Sequence, residues 1–215
     1  MGDIRRVLVV GGGIGGLTAA TAFAQRGVEV VVIERRPNFD VPGVGLGQPA
    51  NALRVYDSLG VLSEILQIGF TYDRMRIFDA SREKLIAEHK FLLGDSAVPA
   101  TCALSRLQLH EILLSAAKRA GAQVRTGLTV SEIHDEKDSV TVTYSDGRTE
   151  SFDLLAGFDG IRSTSGFISS EPRSRRVLPV MAAGACRCRD SNTSGAWSSS
   201  LASEAKRAPC RLAKI

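Results

Sequence analysis

The first 34 residues alternate between apolar runs and a stretch of small residues. Residues 5–10 contain a continuous Val/Leu run, which is typical of a parallel strand buried on both faces. Residues 14–25 predict a helix that ends before Gly27, and residues 28–34 form a second apolar run. These elements predict a strand–helix–strand unit with parallel strands and a right-handed crossover.

From residue 37 to residue 157 the pattern alternates between helices and short strands. Helices are predicted at residues 50–59 and 63–68, and from Ser105 to Gly121. Strands are predicted at residues 74–79, 84–90, 123–125, 129–134, 140–144, 150–152 and 153–157. The first two of these strands are expected to be antiparallel and buried on one side. The Gly- and Pro-rich residues 37–49 predict a loop, and the chain as a whole is predicted to be α/β.

Composition and charge narrow the class of protein. The 215 residues are 44% hydrophobic and 23% charged, which is typical of a globular protein. The net charge of +4 is uneven, because residues 166–215 carry +6 and residues 1–165 carry −2. A basic tail on an acidic body does not predict nucleic-acid binding. No apolar run could cross a bilayer and no signal peptide is evident, so a cytoplasmic location is expected.

The last 50 residues differ from the rest of the chain. Nine are Ser and eight are Ala, and no helical or strand period is sustained, so no regular structure is predicted there. The pair Cys186 and Cys188 lacks the spacing of a zinc site, and no metal is expected.

Glycines spaced G-x-G-x-x-G lie between the first strand and the first helix. Gly11 would allow the tight turn, Gly13 would let backbone amides approach a pyrophosphate, and Gly16 would let helix and strand pack closely. The start of the helix offers unpaired N–H groups to phosphates, and Glu34 ends the next strand where a carboxylate can bind a ribose hydroxyl. The pattern predicts dinucleotide binding, and the alternative is a glycine-rich turn without a ligand.

Two further positions are candidates for ligand contact. Arg106 lies in the first turn of a predicted helix, where a cation opposes the helix dipole, so either an anion lies nearby or the side chain is solvated. Asp159 and Gly160 follow a predicted parallel strand at the edge of the sheet where ligands bind, although an ordinary turn is the alternative. His89, His110 and His134 lack a Ser or Cys partner and are expected to be structural.

Four segments, in this order, resemble the flavin-dependent aromatic hydroxylases. These are the group A monooxygenases with the p-hydroxybenzoate hydroxylase fold, and the chain looks most similar to salicylate-hydroxylase-like members. The segments are residues 11–16 with Glu34, residues 43–53, residues 104–109 and residues 153–163. The resemblance implies a Rossmann-like FAD-binding domain with a central parallel sheet, plus part of an antiparallel substrate-domain sheet.

The resemblance also implies a set of cofactor-binding residues. They are Gly11, Gly12, Gly13, Ile14, Gly15, Gly16, Glu34, Arg35, Gln48, Arg106, Asp159 and Gly160. Gln48, like Asn51, could instead cap the helix beside it. No catalytic side chain is implied, because FAD, reduced by NAD(P)H, would react with O₂ to a C4a-hydroperoxide that hydroxylates a small aromatic substrate.

The resemblance divides the chain into three parts. Residues 1–71 and 101–165 would form a discontinuous FAD-binding domain, residues 72–100 would be partial substrate-domain strands, and residues 166–215 would be a non-native or disordered tail. Family members continue with further substrate strands and a Gly-Asp-Ala-Ala-His motif that this sequence lacks. A truncation or frame change after Ser165 is therefore expected, with weakened FAD binding and hydroxylation.

Other functions remain open. An NAD(P)-dependent reductase or dehydrogenase could use the same strand–helix–strand unit, but it would leave Arg106 and Asp159 unexplained. The chain could also be a non-catalytic nucleotide-binding remnant, or its basic tail could bind acidic partners.

Overall fold

The two apolar runs at the start of the chain are neighbouring strands in a computed structural model. The structure describes residues 4–39, 45–81, 83–91, 97–136, 138–160 and 163, together with the backbone of residues 177–179. All of these lie in one unit that spans residues 1–184, and residues 185–215 form a second unit outside the described residues.

A five-stranded parallel sheet forms the centre of the described part. Its strands, in spatial order, are β13 (Val177–Pro179), β12 (Leu154–Gly157), β1 (Arg6–Val10), β2 (Glu29–Glu34) and β8 (Gln123–Thr126). Helix α1 (Ile14–Ala24) connects β1 to β2 as predicted. The α/β class with a parallel sheet and small antiparallel sheets is confirmed.

The parallel sheet is covered on both faces, which explains the continuous apolar runs. Val7 and Val9 of β1 face a cluster that includes α1 and α4 (Arg106–Arg119). Leu8 and Val10 face the other way, against an antiparallel sheet of β9 (Val130–Asp135), β10 (Val140–Tyr144) and β11 (Thr149–Phe152). Alternate residues of one strand thus enter two separate cores.

A second antiparallel sheet contains strands that the sequence pattern missed. It consists of β3 (Gly45–Pro49), β7 (Thr101–Ser105) and β4 (Phe70–Tyr72). The predicted loop at residues 37–49 is therefore wrong over β3, because this Gly-rich segment pairs with β7, which lies more than 50 residues away in sequence. Helices α2 (Ala50–Ser58) and α3 (Leu62–Ile68) follow β3 close to their predicted positions.

The predicted pair of strands between residues 74 and 90 forms a hairpin. β5 (Arg74–Phe78) and β6 (Leu85–Lys90) are antiparallel, as expected. The expectation that one side is buried is wrong, since every residue of both strands is exposed and no described element covers either face.

The tail prediction falls largely on residues that the structure does not describe. Within residues 166–215 only the backbone of β13 is described, and it extends the parallel sheet beside β12, which the sequence pattern did not predict. The division into a discontinuous FAD-binding domain, substrate strands and tail stays a prediction.

Candidate functional site

Two glycines of the motif that follows β1 are required by the packing of the protein itself. Gly11 has φ of +110°, and a Cβ there would lie 2.5 Å from the carbonyl oxygen of Phe158. A Cβ on Gly16 would lie 1.9 Å from the carbonyl oxygen of Gly11. The turn after β1 and the contact of α1 with it therefore exclude any side chain at both positions.

Gly13 differs, because no protein atom requires it to be glycine. Its φ of −77° is ordinary for any residue, and a Cβ would meet nothing within 4 Å. It is the N-cap of α1, and within the described residues its N–H has no hydrogen-bond acceptor. The start of a helix thus offers a free amide beside open space, which is the arrangement that binds phosphate.

A cavity of about 350 Å³ opens beside this loop, outside the carboxyl ends of β1, β2 and β12. The predicted cofactor-binding residues that line it are Gly11, Gly12, Gly13, Ile14, Glu34, Arg35, Arg106, Asp159 and Gly160. Their segments are far apart in sequence but meet where the strand order reverses around β1, the usual position of a ligand in an open α/β sheet.

The Glu34 carboxylate is fixed by the backbone around it. Oε2 accepts the Gly12 N–H at 3.0 Å and Oε1 accepts the Arg36 N–H at 3.0 Å. A carboxylate has about four acceptor positions, so two remain for a ligand hydroxyl. The two bonds hold the end of β2 against the glycine loop.

Two cations face the same cavity. Arg35 and Arg106 are exposed and line the cavity, and neither forms an ion pair within the part of the chain that the structure describes. Arg106 is the first residue of α4, where its charge opposes the helix dipole. An anion bound in the cavity would remove this unfavourable interaction.

Asp159 and Gly160 lie where β12 ends beside β1. The Phe158 N–H donates to the Val10 carbonyl at 2.7 Å and continues the pairing of the two strands to the cavity edge. Asp159 Oδ1 accepts the hydroxyl of Ser163 at 2.6 Å. Asp159 is thereby placed on the cavity wall opposite Glu34, which lies on the far side of β1.

The remaining predicted residues lie outside the cavity lining. Gly15 packs in α1 near Phe158, and Gly16 contacts the glycine loop itself. Gln48 lies on β3, where its Oε1 accepts the hydroxyl of Tyr56 at 3.0 Å. Burial raises the pKa of Tyr56 to about 12, so this hydroxyl stays protonated and remains a donor. The role of Gln48 in cofactor binding stays a prediction.

His110 belongs to the cavity wall, although the sequence indicated only a structural role. It is 3% exposed, its Nε2 lies 2.8 Å from the Gly12 carbonyl oxygen, and its ring lies 4.8 Å from that of Phe39. Its position four residues after Arg106, on the same face of α4, was the one signal that could have identified it. His89 of β6 and His134 of β9 are exposed, and neither lines the cavity.

None of the helices in the described residues is long and apolar enough to span a membrane. The pair Cys186 and Cys188 lies outside the described residues.

Known proteins match this chain over the region that builds the cavity. A family model described as "FAD binding domain" matches residues 5–171. The putative FAD-dependent monooxygenase YetM of Bacillus subtilis (strain 168) is 34% identical over 160 residues, covering 74% of this chain and 43% of that protein. The 3-hydroxybenzoate 6-hydroxylase 1 of Aquipseudomonas alcaligenes is 30% identical over 165 residues, covering 73% and 41%.

Solved structures agree with the relatives. The tetrameric form of 2-methyl-3-hydroxypyridine-5-carboxylic acid oxygenase superposes with a TM-score of 0.64 at 28% identity, covering 75% of this chain and 41% of that chain. The p-nitrophenol 4-monooxygenase of Pseudomonas putida DLL-E4 gives 0.67 at 25% identity, covering 76% and 43%. The chain thus spans less than half the length of each of these proteins. It belongs to the FAD-binding domain family, and its relatives there are FAD-dependent monooxygenases.

Proposed function

We propose that this chain is the FAD-binding portion of an NAD(P)H-dependent monooxygenase that hydroxylates a small aromatic ring. The observation that carries the proposal is one cavity that combines the open amide of Gly13 with Arg35 and Arg106, neither of which forms an ion pair with a described residue. This set fits a ligand with a pyrophosphate, because it offers backbone donors, a helix N-terminus and guanidinium groups to negative oxygens.

The residues that line the cavity would each hold a different part of FAD. The start of α1 and Arg106 would bind phosphate oxygens, since both present positive charge to the cavity. Glu34 would accept hydrogen bonds from a ribose with its two remaining acceptor positions, and the neighbouring Arg35 would lie over the same part of the ligand. Asp159 and Gly160 would contact the ligand from β12, on the other side of β1.

The proposed reaction combines an aromatic C–H, O₂, NAD(P)H and a proton to give the hydroxylated ring, water and NAD(P)⁺. When bound, FAD supplies the redox chemistry that accepts the hydride and activates O₂. The names of the relatives support an aromatic or heteroaromatic substrate, since they include a 3-hydroxybenzoate hydroxylase and a hydroxypyridine carboxylate oxygenase. The residues of this chain would bind and orient the cofactor. We also propose a cytoplasmic location for the protein.

A reductase that binds only NAD(P) is the second candidate function. The strand–helix–strand unit alone would serve it equally well. Arg106 and Asp159 favour FAD, because they extend the polar lining beyond the glycine loop and the end of β2.

Binding of purified protein to FAD, NAD⁺, ADP and adenosine tests the proposal. We expect FAD to bind more tightly than NAD⁺, and ADP more tightly than adenosine, because the cavity recognises phosphate. Arg106→Gln should weaken FAD binding about 10- to 100-fold, which corresponds to about 1.5–3 kcal/mol for a hydrogen bond to a charged group.

Arg119→Gln is the matched control for that substitution. Arg119 lies at the other end of α4, where it pairs with Glu64 at 2.8 Å, so its loss should leave FAD affinity unchanged. A preference for NAD⁺ over FAD would support the reductase, and equal FAD affinity of both variants would contradict a phosphate contact at Arg106.

A further inference from the structure

Gly12 is held on three sides by residues from separate segments of the chain. Its N–H donates to the Glu34 carboxylate at 3.0 Å, and its carbonyl oxygen lies 2.8 Å from Nε2 of His110. A Cβ on Gly12 would lie 2.7 Å from the ring of Phe39, so this ring closes the third side. The loop between β1 and α1 therefore has a fixed peptide orientation before any ligand binds.

The direction of the hydrogen bond to His110 follows from its partner. A carbonyl oxygen can only accept, so Nε2 of His110 carries the hydrogen and donates it. The ring is 3% exposed and packs on Phe39 at 4.8 Å between centroids, tilted by 44°. Burial removes competing water from this bond, and the packing restricts the orientation of the ring.

The same bond determines where the next amide points. In a planar trans peptide the C=O and the N–H point in opposite directions, and every described peptide is trans. With the Gly12 carbonyl directed at His110, the Gly13 N–H must point away from His110, and no described residue accepts it. This is the amide that the cavity leaves open for a phosphate oxygen.

His110 also connects the loop to the cation on the opposite wall. Arg106 and His110 are four residues apart on α4, so they lie on one face of that helix and both line the cavity. A hydrogen bond from α4 to the glycine loop therefore fixes the distance between the two groups that would hold one anion.

We propose that His110 is a positioning residue for the cofactor: it orients the Gly12–Gly13 peptide, and holds it relative to Arg106, through its hydrogen bond to the Gly12 carbonyl. The role is preorganisation, because a loop already fixed in the binding geometry loses less conformational freedom when the ligand arrives. This inference rests on the proposed FAD site.

Three variants on α4 separate this role from general stability. His110→Leu replaces the imidazole with an apolar side chain of similar length that has no donor. His110→Gln supplies an N–H donor that can reach the same carbonyl. Leu114→Ala is the matched control, since Leu114 is half-buried on the same helix and does not line the cavity.

We expect His110→Leu to weaken FAD binding about tenfold, because the loop must then be ordered when the ligand binds. Tenfold corresponds to about 1.4 kcal/mol, which is of the order of the cost of fixing the backbone of one residue. His110→Gln should recover FAD affinity to within threefold of wild type. Leu114→Ala should lower the melting temperature without a change in FAD affinity.

A measurement without cofactor checks the hydrogen bond itself. In the ¹H–¹⁵N spectrum of the apo protein, the Nε2–H of His110 should exchange slowly with water. The Gly13 amide should shift in His110→Leu and return toward its wild-type position in His110→Gln.

Each remaining outcome overturns a defined part of the argument. A wild-type protein that binds neither FAD nor ADP removes the proposed function and this role together. Wild-type binding with equal affinity in all three variants, or a loss in His110→Leu that His110→Gln does not recover, removes the role of His110 alone.

Discussion

Gly13 and Gly16 lie three residues apart in one motif, and the structure gives them opposite reasons to be glycine. Gly13→Ala would add a methyl group that contacts no protein atom, at an ordinary backbone φ of −77°. Gly16→Ala would add one that lies 1.9 Å from a backbone oxygen of the loop. The same chemical change should therefore affect ligand binding at one position and folding at the other.

The magnitudes follow from these contacts. At the N-cap, Ala is less favourable than Gly by roughly 0.5–1 kcal/mol, and the stiffer unfolded chain returns about 0.4–1 kcal/mol, so Gly13→Ala should leave stability almost unchanged. Gly16→Ala gains about 1 kcal/mol of helix propensity. Ordinary overpacking costs about 1–3 kcal/mol, and the clash with the backbone should cost more than that. We therefore expect Gly16→Ala to lower the free energy of unfolding by a net amount of about 1–3 kcal/mol.

Thermal unfolding and FAD titration of both variants provide the assay. At about 2–4 °C per kcal/mol for a chain of this size, Gly16→Ala should melt roughly 3–10 °C lower, whereas Gly13→Ala should stay within about 3 °C of wild type. Gly13→Ala should nevertheless weaken FAD binding at least about tenfold, because its methyl group occupies the space that a phosphate needs.

Two results would refute this reasoning. If Gly13→Ala binds FAD as tightly as wild type, the open space at Gly13 is not where the phosphate lies. If Gly13→Ala unfolds as readily as Gly16→Ala, the protein itself requires glycine at residue 13.

Two further predictions concern groups away from the cavity. Burial alone would raise the pKa of Glu150, but hydrogen bonds from Arg125 and Arg6 outweigh it and hold that pKa below its usual value. The charged Glu150 side chain therefore stabilises the folded state above its unfolded-state pKa of about 4.3. This stabilisation is lost as the pH falls through the folded-state pKa. Melting curves between pH 7 and pH 3 should show the advantage of wild type over Glu150→Gln shrinking with acidity, and a constant difference would contradict this. Burial also raises the pKa of the fully buried Cys102 thiol, so peptide mapping should find it alkylated only after unfolding, and rapid labelling of the native protein would contradict its burial.

The sequence pattern predicted the strands of the exposed β5–β6 hairpin but not their exposure. Its alternation correctly predicted two antiparallel strands, because pairing through a short turn is a local property. The pattern could not show what covers them. Met75, Ile77 and Leu85 are 46–48% exposed in the described structure, although the sequence indicated burial on one side.

Much of the candidate site was predictable because several of its residues belong to patterns of neighbouring residues in the sequence. The glycines, Glu34 and the position of Arg106 at the start of α4 each follow from a few neighbouring residues. The contact of His110 with Gly12 spans 98 positions and depends on how α4 packs beside α1. No local sequence pattern predicts that packing.

The amino-acid sequence by itself determined the β1–α1–β2 unit, its parallel strands and the roles available to its glycines, because continuous apolar runs and glycine spacing act through near neighbours. Only the tertiary structure decided that the Gly-rich residues Gly45–Pro49 become a strand and that β12 ends beside β1. It also decided that His110 of α4 meets the carbonyl oxygen of Gly12. The physical reason is that backbone pairing between distant segments, and the space left between them, depend on which surfaces meet.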